Sequence, residues 1–179
     1  MTPPLFRDGA QPNEYQRMLL ARLGELDPAE VQSGTPAQIR ALLADAGADL
    51  RTRPEPGEWS VMQCVAHICD AELVIAGRYR WILAHDQPEI MPYDQDLWVD
   101  RFHTDLAEEP EEMLSVFEPL RAADLALWRR TPVADRARYG IHRERGPESY
   151  ELTFRLTAGH DLVHLDQARR TLEQVRDSV

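Results

Sequence analysis

The feature that most constrains the fold is a helical repeat of apolar residues, interrupted where prolines, glycines and polar residues cluster. Between these interruptions, apolar side chains recur every three or four positions, which places them on one face of a helix. The clearest stripe consists of Val61, Val65, Ile68, Ile75, Tyr79 and Ile82. Four segments show this pattern, and none shows the clear alternation of a strand. The sequence therefore predicts an all-α four-helix bundle.

Capping residues and prolines indicate where the four helices begin. We place the starts at Thr35–Pro36, at Ser60 with its capping-box partner Gln63, at Pro110 and at Ser149. The predicted ends lie near residues 50, 84, 130 and 176. Residues 1–34 are predicted to form an N-terminal arm with one short helix that ends at Gly24, and residues 35–179 to form the bundle.

Two connections in this plan are long or polar. Residues 85–108 separate the second helix from the third and contain the sequence HDQPEIMPYDQDLW. A connection of this length is predicted to cross over the bundle or to cover a site. The stretch YGIHRERGPES before the last helix is predicted to form turns.

The charge balance argues against one class of partner. All 20 basic residues are arginines, 31 residues are acidic, and the net charge is −11. Such a surface repels phosphate backbones, so we expect no nucleic-acid binding. No apolar run suits a membrane span or a secretion signal, and Cys64 and Cys69 form neither a CxxC pair nor a disulfide framework. We therefore expect a cytoplasmic protein that does not bind membranes.

His160 and His164 are the first candidate metal ligands. They lie four residues apart in the last predicted helix, within GHDLVHLDQ. This spacing places both imidazoles on one helix face, one turn apart, which suits two ligands of one metal ion. The alternative is that both are half-buried polar residues that bond to water or carboxylates.

His67 is the third candidate ligand, because it lies between Val65 and Ile68 on the inward stripe of the second helix. A neutral histidine in a core must bond both ring nitrogens or lower its pKa at a cost. Sharing a divalent ion with His160 and His164 would resolve this. Three imidazoles would leave coordination positions for water or substrate.

Four polar residues within one or two turns of these histidines are candidates for orienting the rings: Asp70, Glu72, Asp161 and Gln167. A solvated helix residue or a cap is an equally good interpretation of most of them. Glu72 differs because it interrupts the apolar stripe of its helix, so we expect it to be buried and partnered.

The remaining histidines and one cysteine have weaker patterns. His85 is predicted to close a helix, and His103 lies in the long connection without an assigned role. His142 is predicted to lie in a structural turn, from which it could also reach a site. Cys64 precedes His67 by one turn and is expected to be a small buried side chain rather than a reactive thiol.

Four ordered motifs resemble one known family, the DinB/YfiT-like superfamily of metalloenzymes. The motifs are Trp59-Ser60-Val61 leading into Ala66-His67-Ile68 and Asp70-Ala71-Glu72, Pro92-Tyr93-Asp94 with Trp98, His142 through Pro147, and Gly159-His160-Asp161 through His164 and Gln167. The resemblance covers about residues 35–176. Within the superfamily, the chain is most similar to the YfiT-like metal-dependent hydrolases and the bacillithiol S-transferases.

The resemblance implies that His67, His160 and His164 bind one divalent ion per chain, either nickel or zinc. It implies an up-down-down-up bundle with a long crossover between its second and third helices, and it implies that homodimers are common. One departure is Val163, which stands where some relatives carry a further histidine. The departure removes a possible auxiliary base but leaves the three ligands intact.

Three functions are compatible with these expectations. The metal could activate a low-molecular-weight thiol for S-transfer and detoxification, or it could activate water as in a hydrolase. In both, the small-molecule substrate would contact Tyr93, Trp98 and His142. No carboxylate is certain to serve as a hydrolytic base, which favours the thiol reaction. The third function is a non-catalytic, metal-stabilised stress-response binding module, in which Asp70 or Glu72 would complete the metal's coordination.

Overall fold

The computed structural model describes residues 11–178 and is built mainly of helices. In chain order these are α1 (Glu14–Leu23), α2 (Pro28–Ala46), α3 (Val61–Ala84), α4 (Gln95–Asp100), α5 (Pro110–Arg130) and α6 (Tyr150–Asp177). The four long helices α2, α3, α5 and α6 form the bundle. α6 packs against α2 and α3, and α5 packs against the same two helices from the other side. The predicted all-α four-helix bundle is confirmed.

Local hydrogen bonds explain why the helices begin where the sequence predicted. At the start of α3, the Ser60 hydroxyl accepts from the Gln63 N–H, and the Gln63 side chain accepts from the Ser60 N–H. The Ser149 hydroxyl accepts from the N–H of Leu152 at the start of α6. α5 begins at Pro110 and α1 ends before Gly24, as expected. These caps satisfy N–H groups that have no partner inside the helix.

The predicted start of α2 at Thr35–Pro36 is wrong. The helix begins at Pro28, with Asp27 as its cap, so Thr35 and Pro36 lie inside it. Thr35 instead donates to the carbonyl of Val31, as an interior threonine does. Pro36 lacks the N–H that would bond to the carbonyl of Gln32, and a guanidinium N–H of Arg121 donates to that carbonyl instead. A residue from another helix thus makes the proline tolerable.

The sequence shows no clear strand pattern, yet the structure contains three short strands within residues 11–178. Strands β1 (Glu89–Ile90), β2 (Tyr139–His142) and β3 (Gly146–Ser149) form one small sheet in that order. β1 pairs parallel to β2, and β2 pairs antiparallel to β3. The segment predicted to form turns is therefore a hairpin. Its strands are too short and too polar to produce a visible alternation.

The long connection between α3 and α5 is confirmed, but it is not irregular throughout. It contains β1, α4 and one turn of π-helix at Arg101–Asp105. Two tightly packed clusters hold the bundle beneath it. One joins α2, α3, α5 and α6 around Ile68 and Phe117, and the other stacks Trp128 on Phe154 with ring centroids 3.9 Å apart.

The N-terminal arm lies partly outside the described residues, because residues 1–10 are not among them. Its short helix, α1, packs on α6 through Leu19, and a Cβ at Gly159 would come within 2.3 Å of the Leu19 carbonyl oxygen. This close approach requires glycine at position 159. None of the helices between residues 11 and 178 has the length and apolar character needed to cross a membrane.

Candidate metal centre

The three predicted ligands come together where α3 packs against α6. His67 projects from α3, and His160 and His164 project from successive turns of α6. One ring nitrogen from each lies within 4.8 Å of the others, and the Nε2 atoms of His67 and His160 are 2.8 Å apart. No other trio of His, Cys, Asp or Glu in residues 11–178 converges in this way.

Neighbouring side chains hold two of these rings. The Nδ1 of His164 lies 2.8 Å from Oε1 of Gln167, which can only accept, so Nδ1 carries the hydrogen and Nε2 a lone pair. The hydroxyl of Tyr93 is 3.5 Å from the Nδ1 of His67. Trp59 lies over both rings, with centroid distances of 5.1 Å to His67 and 6.1 Å to His164.

Burial keeps the three rings neutral. Burial, together with repulsion from His164 and His103, lowers the pKa of His67 to about 3. Burial likewise lowers the pKa of His160 well below its usual range, with His164 and His67 adding to the effect. The pKa of His164 is also lowered by burial, although its bond to Gln167 opposes the shift. Neutral imidazoles are the form that binds a metal ion.

The donor set fits a divalent transition-metal ion. Three neutral imidazoles converge on one point. The Nε2 atoms of His67 and His160 are 2.8 Å apart, so at least one of these two atoms directs a lone pair at the other ring. Metal–nitrogen bonds of about 2.0–2.1 Å would bring the three nitrogens to comparable separations. Such a centre keeps an open position, since three protein ligands do not complete the coordination of zinc or nickel.

Two cavities meet at the triad. A cavity of about 480 Å³ is lined by His67 and His160, and by Tyr93 and His142 as predicted. A second cavity, of about 520 Å³, is lined by His164, Gln167 and Trp59. Gln95 lines both. Trp98 does not line either cavity, and its ring packs edge-on against Tyr93 at 5.0 Å, so it supports Tyr93 instead of facing a substrate.

Comparison with known protein families identifies the family of this chain. The family model described as the DinB superfamily matches residues 13–168. The chain belongs to the DinB superfamily. The match covers the long connection, all three histidines and the bundle except the last nine residues of α6.

Individual relatives of this DinB-superfamily protein carry names that refer to metal. A protein of Oceanobacillus iheyensis named "Putative metal-dependent hydrolase OB0782" is 28% identical over 116 residues, covering 65% of this chain and 66% of the relative. A "Putative metal-dependent hydrolase" of Geobacillus thermodenitrificans is 34% identical over 64 residues, covering 35% of this chain and 36% of the relative. In both cases the chain spans less than two thirds of the relative's length.

A solved structure has the same fold. YfiT from Bacillus subtilis, described as "a probable metal-dependent hydrolase with an unusual four-helix bundle topology", superposes with a TM-score of 0.69 and 20% identity. The superposition covers 92% of this chain and 91% of YfiT. At this level of identity the likeness concerns the fold.

Of the four residues expected to orient the rings of this DinB centre, only Gln167 contacts one. The expectation is wrong for the other three, which have different partners. Asp70 binds the ring of His103 through an Oδ2–Nε2 contact of 2.9 Å. Glu72 and Asp161 both accept from Arg121, at 2.9 Å and 2.5 Å. The sequence did not predict these partners, Arg121 for Glu72 and Asp161 and the buried His103 for Asp70.

The expectation for Glu72 itself, that it is buried and partnered, is confirmed. It is 1% exposed and lies against the equally buried Arg121 of α5. Burial raises the pKa of Glu72 to about 7, although the charge of Arg121 opposes the shift. Arg121 was missed, yet a signal existed. It interrupts the stripe that runs from Phe117 to Trp128 in α5, just as Glu72 interrupts the stripe of α3.

The remaining predicted residues are placed as follows. His85 ends α3 as expected. Cys64 is buried, and burial raises the pKa of its thiol to about 12, so it is the inert side chain that we predicted. His142 lies in β2 instead of a turn, because the segment around it forms a hairpin. His103 is buried in the π-helical turn beside Asp70.

Proposed function

We propose that this DinB-superfamily protein is a metal-dependent enzyme that activates a low-molecular-weight thiol for transfer to an electrophile. The observation that carries the proposal is the position of the triad between two cavities, one lined by His67 and His160 and the other by His164. A transfer reaction needs room for two reactants beside one reactive centre. The proposal includes one divalent ion per chain, with nickel and zinc as the candidates.

The chain's own residues prepare this centre. His67, His160 and His164 are neutral and offer lone pairs to a divalent ion, which when bound would supply Lewis acidity that lowers the pKa of a thiol. Gln167 holds the tautomer of His164 in which Nε2 faces inward. Trp59 covers the rings and limits the approach of water from that side.

The carboxylates near the triad also favour thiol transfer over hydrolysis. Hydrolysis at such a site benefits from a general base within hydrogen-bond reach of the attacking water. Asp70 pairs with His103, while Glu72 and Asp161 pair with Arg121. A thiol that ionises near neutral pH needs no such base.

Hydrolysis is the second candidate, and the specific support for it is the naming of the relatives. Both curated relatives and the structurally similar YfiT are described as metal-dependent hydrolases. In that reaction the same three histidines would bind the metal, and water would take the place of the thiol.

A non-catalytic metal-stabilised module has less support. It would require a fourth protein ligand, for which Asp70 and Glu72 were the candidates. Both are held by other partners. A small-molecule substrate, a homodimer and a lack of nucleic-acid or membrane partners stay predictions.

The test is thiol-dependent conjugation of a generic electrophile, 1-chloro-2,4-dinitrobenzene, with a panel of low-molecular-weight thiols. We expect product formation with metal-loaded protein and its loss after chelation, with recovery on adding nickel or zinc. Ester hydrolysis that depends on the metal, without any conjugation, would support the second candidate. Conjugation that chelation leaves unchanged would refute the proposal.

A further inference from the structure

A buried arginine without an acidic partner lines the same cavity as His67 and His160. Arg78 is only 4% exposed. Its Nη2 donates to the carbonyl of Met91, and its Nε has no partner. No carboxylate of residues 11–178 lies within ion-pair distance of it. An unpaired buried charge is costly, and an anionic group from outside the chain would offset this cost.

Among the largely buried charged side chains that line this cavity, positive charges outnumber negative ones. Besides Arg78, the largely buried charged residues that line it are Arg145 and Glu148, which bind each other at 2.6 Å. The side chain of Gln16 also donates to Glu148. Asp94 and Glu144 line the cavity too, but both are exposed, and Asp94 accepts from the N–H of Leu97. One guanidinium charge is therefore left over in the interior.

A second unsatisfied donor belongs to His142, which is 1% exposed and lines the same cavity. Its Nδ1 accepts from the N–H of Glu144 at 3.2 Å, so the hydrogen of the neutral ring lies on Nε2. That Nε2 has no partner. Burial, together with Arg145, lowers the pKa of His142 to about 4, which keeps the ring neutral.

The backbone holds these two donors near each other. Arg78 binds the carbonyl of Met91, the residue that follows β1. Ile90, the last residue of β1, pairs with His142 in β2. The small sheet, which no apolar pattern predicted, thus brings a donor from β2 beside a donor from α3.

The distance from these donors to the triad sets the length of the ligand. Arg78 follows His67 by eleven residues, or three turns of α3, so both project from nearly the same face. Their Cα atoms are separated by about 16 Å along the helix. Ala71 and Ile75 line the cavity between them and offer an apolar surface.

We infer that Arg78 and His142 bind a carboxylate of the substrate, so that the substrate is an elongated carboxylic acid whose reactive group lies at the triad. A single unpaired positive charge matches a monoanion, and a guanidinium with a second donor matches two carboxylate oxygens. The inference rests on the proposed function for the identity of the reacting end. The carboxylate site itself does not depend on the metal.

The experiment measures binding of hexanoate and hexanamide to the full chain after removal of metal, by isothermal titration calorimetry. These probes have the same length and carry no thiol, so the measurement is independent of the proposed reaction. We expect hexanoate to bind at least about tenfold more tightly, as charge-assisted hydrogen bonds imply. Equal affinities for the two probes would overturn the inference.

Matched variants show which residues cause the preference for hexanoate over hexanamide. Arg78→Gln should reduce the ratio of the two affinities to about one, and His142→Asn, which loses the Nε2 donor, should reduce it in part. Arg143→Gln is the control, since Arg143 is exposed on the neighbouring hairpin and pairs with Glu89. A ratio unchanged in Arg78→Gln would also overturn the inference.

A crystal structure of the unmodified protein with hexanoate covers the case in which Arg78→Gln does not fold. The carboxylate should lie within hydrogen-bond distance of Arg78. A carboxylate located at the three histidines would contradict the inference. If the protein shows no metal-dependent conjugation but still prefers hexanoate to hexanamide, the proposed function is refuted and the carboxylate site is supported.

Discussion

Two buried polar clusters lie side by side between α3 and α6, and they differ in how their members are satisfied. In one, the guanidinium of Arg121 binds Glu72 and Asp161, and Thr35 donates to Asp161 as well. In the other, His67, His160 and His164 direct ring nitrogens at one another. Both clusters include residues of α3 and α6, and His160 and Asp161 are adjacent in sequence.

The difference between the Arg121 cluster and the histidine triad indicates their roles. In the Arg121 cluster both carboxylates bind the guanidinium, so the cluster stabilises the packing of α2, α3, α5 and α6. Each neutral imidazole of the triad has one hydrogen and one lone pair, and the hydrogen of His164 is bound to Gln167, so the Nε2 of His164 has a lone pair. Three neutral imidazoles that converge in this way suit a divalent cation. The comparison yields four predictions, given from the largest expected effect to the smallest.

Arg121→Met should break the first cluster. It leaves Glu72 and Asp161 as unpaired buried carboxylates, which destabilises a protein by about 3–5 kcal/mol. Urea denaturation followed by circular dichroism measures the change in the free energy of unfolding. Arg101→Met is the control, because its ion pair with Asp105 is exposed and contributes little. A similar small effect for both variants would show that Arg121 is not needed for packing.

His160→Ala should break the second cluster in a different way. Metal analysis of untagged wild-type protein should find about one divalent ion per chain, and the variant should lose it. At a metal concentration 100 to 1,000 times the dissociation constant, the wild type also gains about 2.7–4.1 kcal/mol of stability that the variant lacks. His85→Ala, outside the triad, should keep the metal. Full occupancy in His160→Ala would contradict the three-histidine assignment.

The metal-free protein should lose stability in acid because of the triad. The pKa of His67 in the folded state is about 3, below its value of about 6.5 in the unfolded chain. The folded state therefore binds fewer protons between these values, and stability falls as the pH drops from about 6.5. Between pH 6.5 and 4.5 the loss should be about 2 kcal/mol.

The opposite sign is expected of Glu72, whose folded pKa of about 7 lies above its usual value. Its contribution to stability decreases as the pH rises from about 4.5 to 7. Unfolding free energies of His67→Gln and Glu72→Gln across this range separate the two. His67→Gln should flatten the acid loss. If the acid loss were unchanged in that variant, the triad would not be its source.

Gln167→Ala should give the smallest of the four effects. It removes the acceptor that holds the tautomer of His164, and losing such a partner reduces metal affinity by about tenfold. Competition with a chromophoric chelator measures the affinity. Asp70→Asn should change it less, since Asp70 binds His103 and none of the three ligands. A larger loss of metal affinity in Asp70→Asn than in Gln167→Ala would show that Asp70 positions the metal ligands.

Most of the bundle could be predicted from the sequence because its signals are local. The capping box of Ser60 and Gln63 spans four residues, and the spacing of His160 and His164 spans one helical turn. Glu72 could be recognised as buried because it breaks an apolar stripe. The same test applied to Arg121 would have found one buried arginine, since Arg121 interrupts the stripe of α5. Arg78 gives no such signal, because the stripe of α3 continues through Ile75 and Tyr79 on either side of it.

What could not be predicted depends on contacts between distant residues. Thr35–Pro36 looks like a helix start, and only the donation from Arg121 to the Gln32 carbonyl explains why a helix continues through it. The hairpin at residues 139–149 has no apolar alternation, and it is held by pairing with β1 about fifty residues earlier.

The sequence by itself determined the four long helices and the three histidines, since apolar period, capping residues and one-turn spacing act within a few residues of each other. The tertiary structure alone decided which carboxylates are free and which are paired. Glu72 and Arg121 are 49 residues apart, and Arg121 and Asp161 are 40 apart. Such pairs form only when packed helices bring them into a low-dielectric interior, where an unpaired charge is costly. That requirement explains why the Arg121 cluster pairs its charges, whereas burial keeps the rings of the histidine triad neutral.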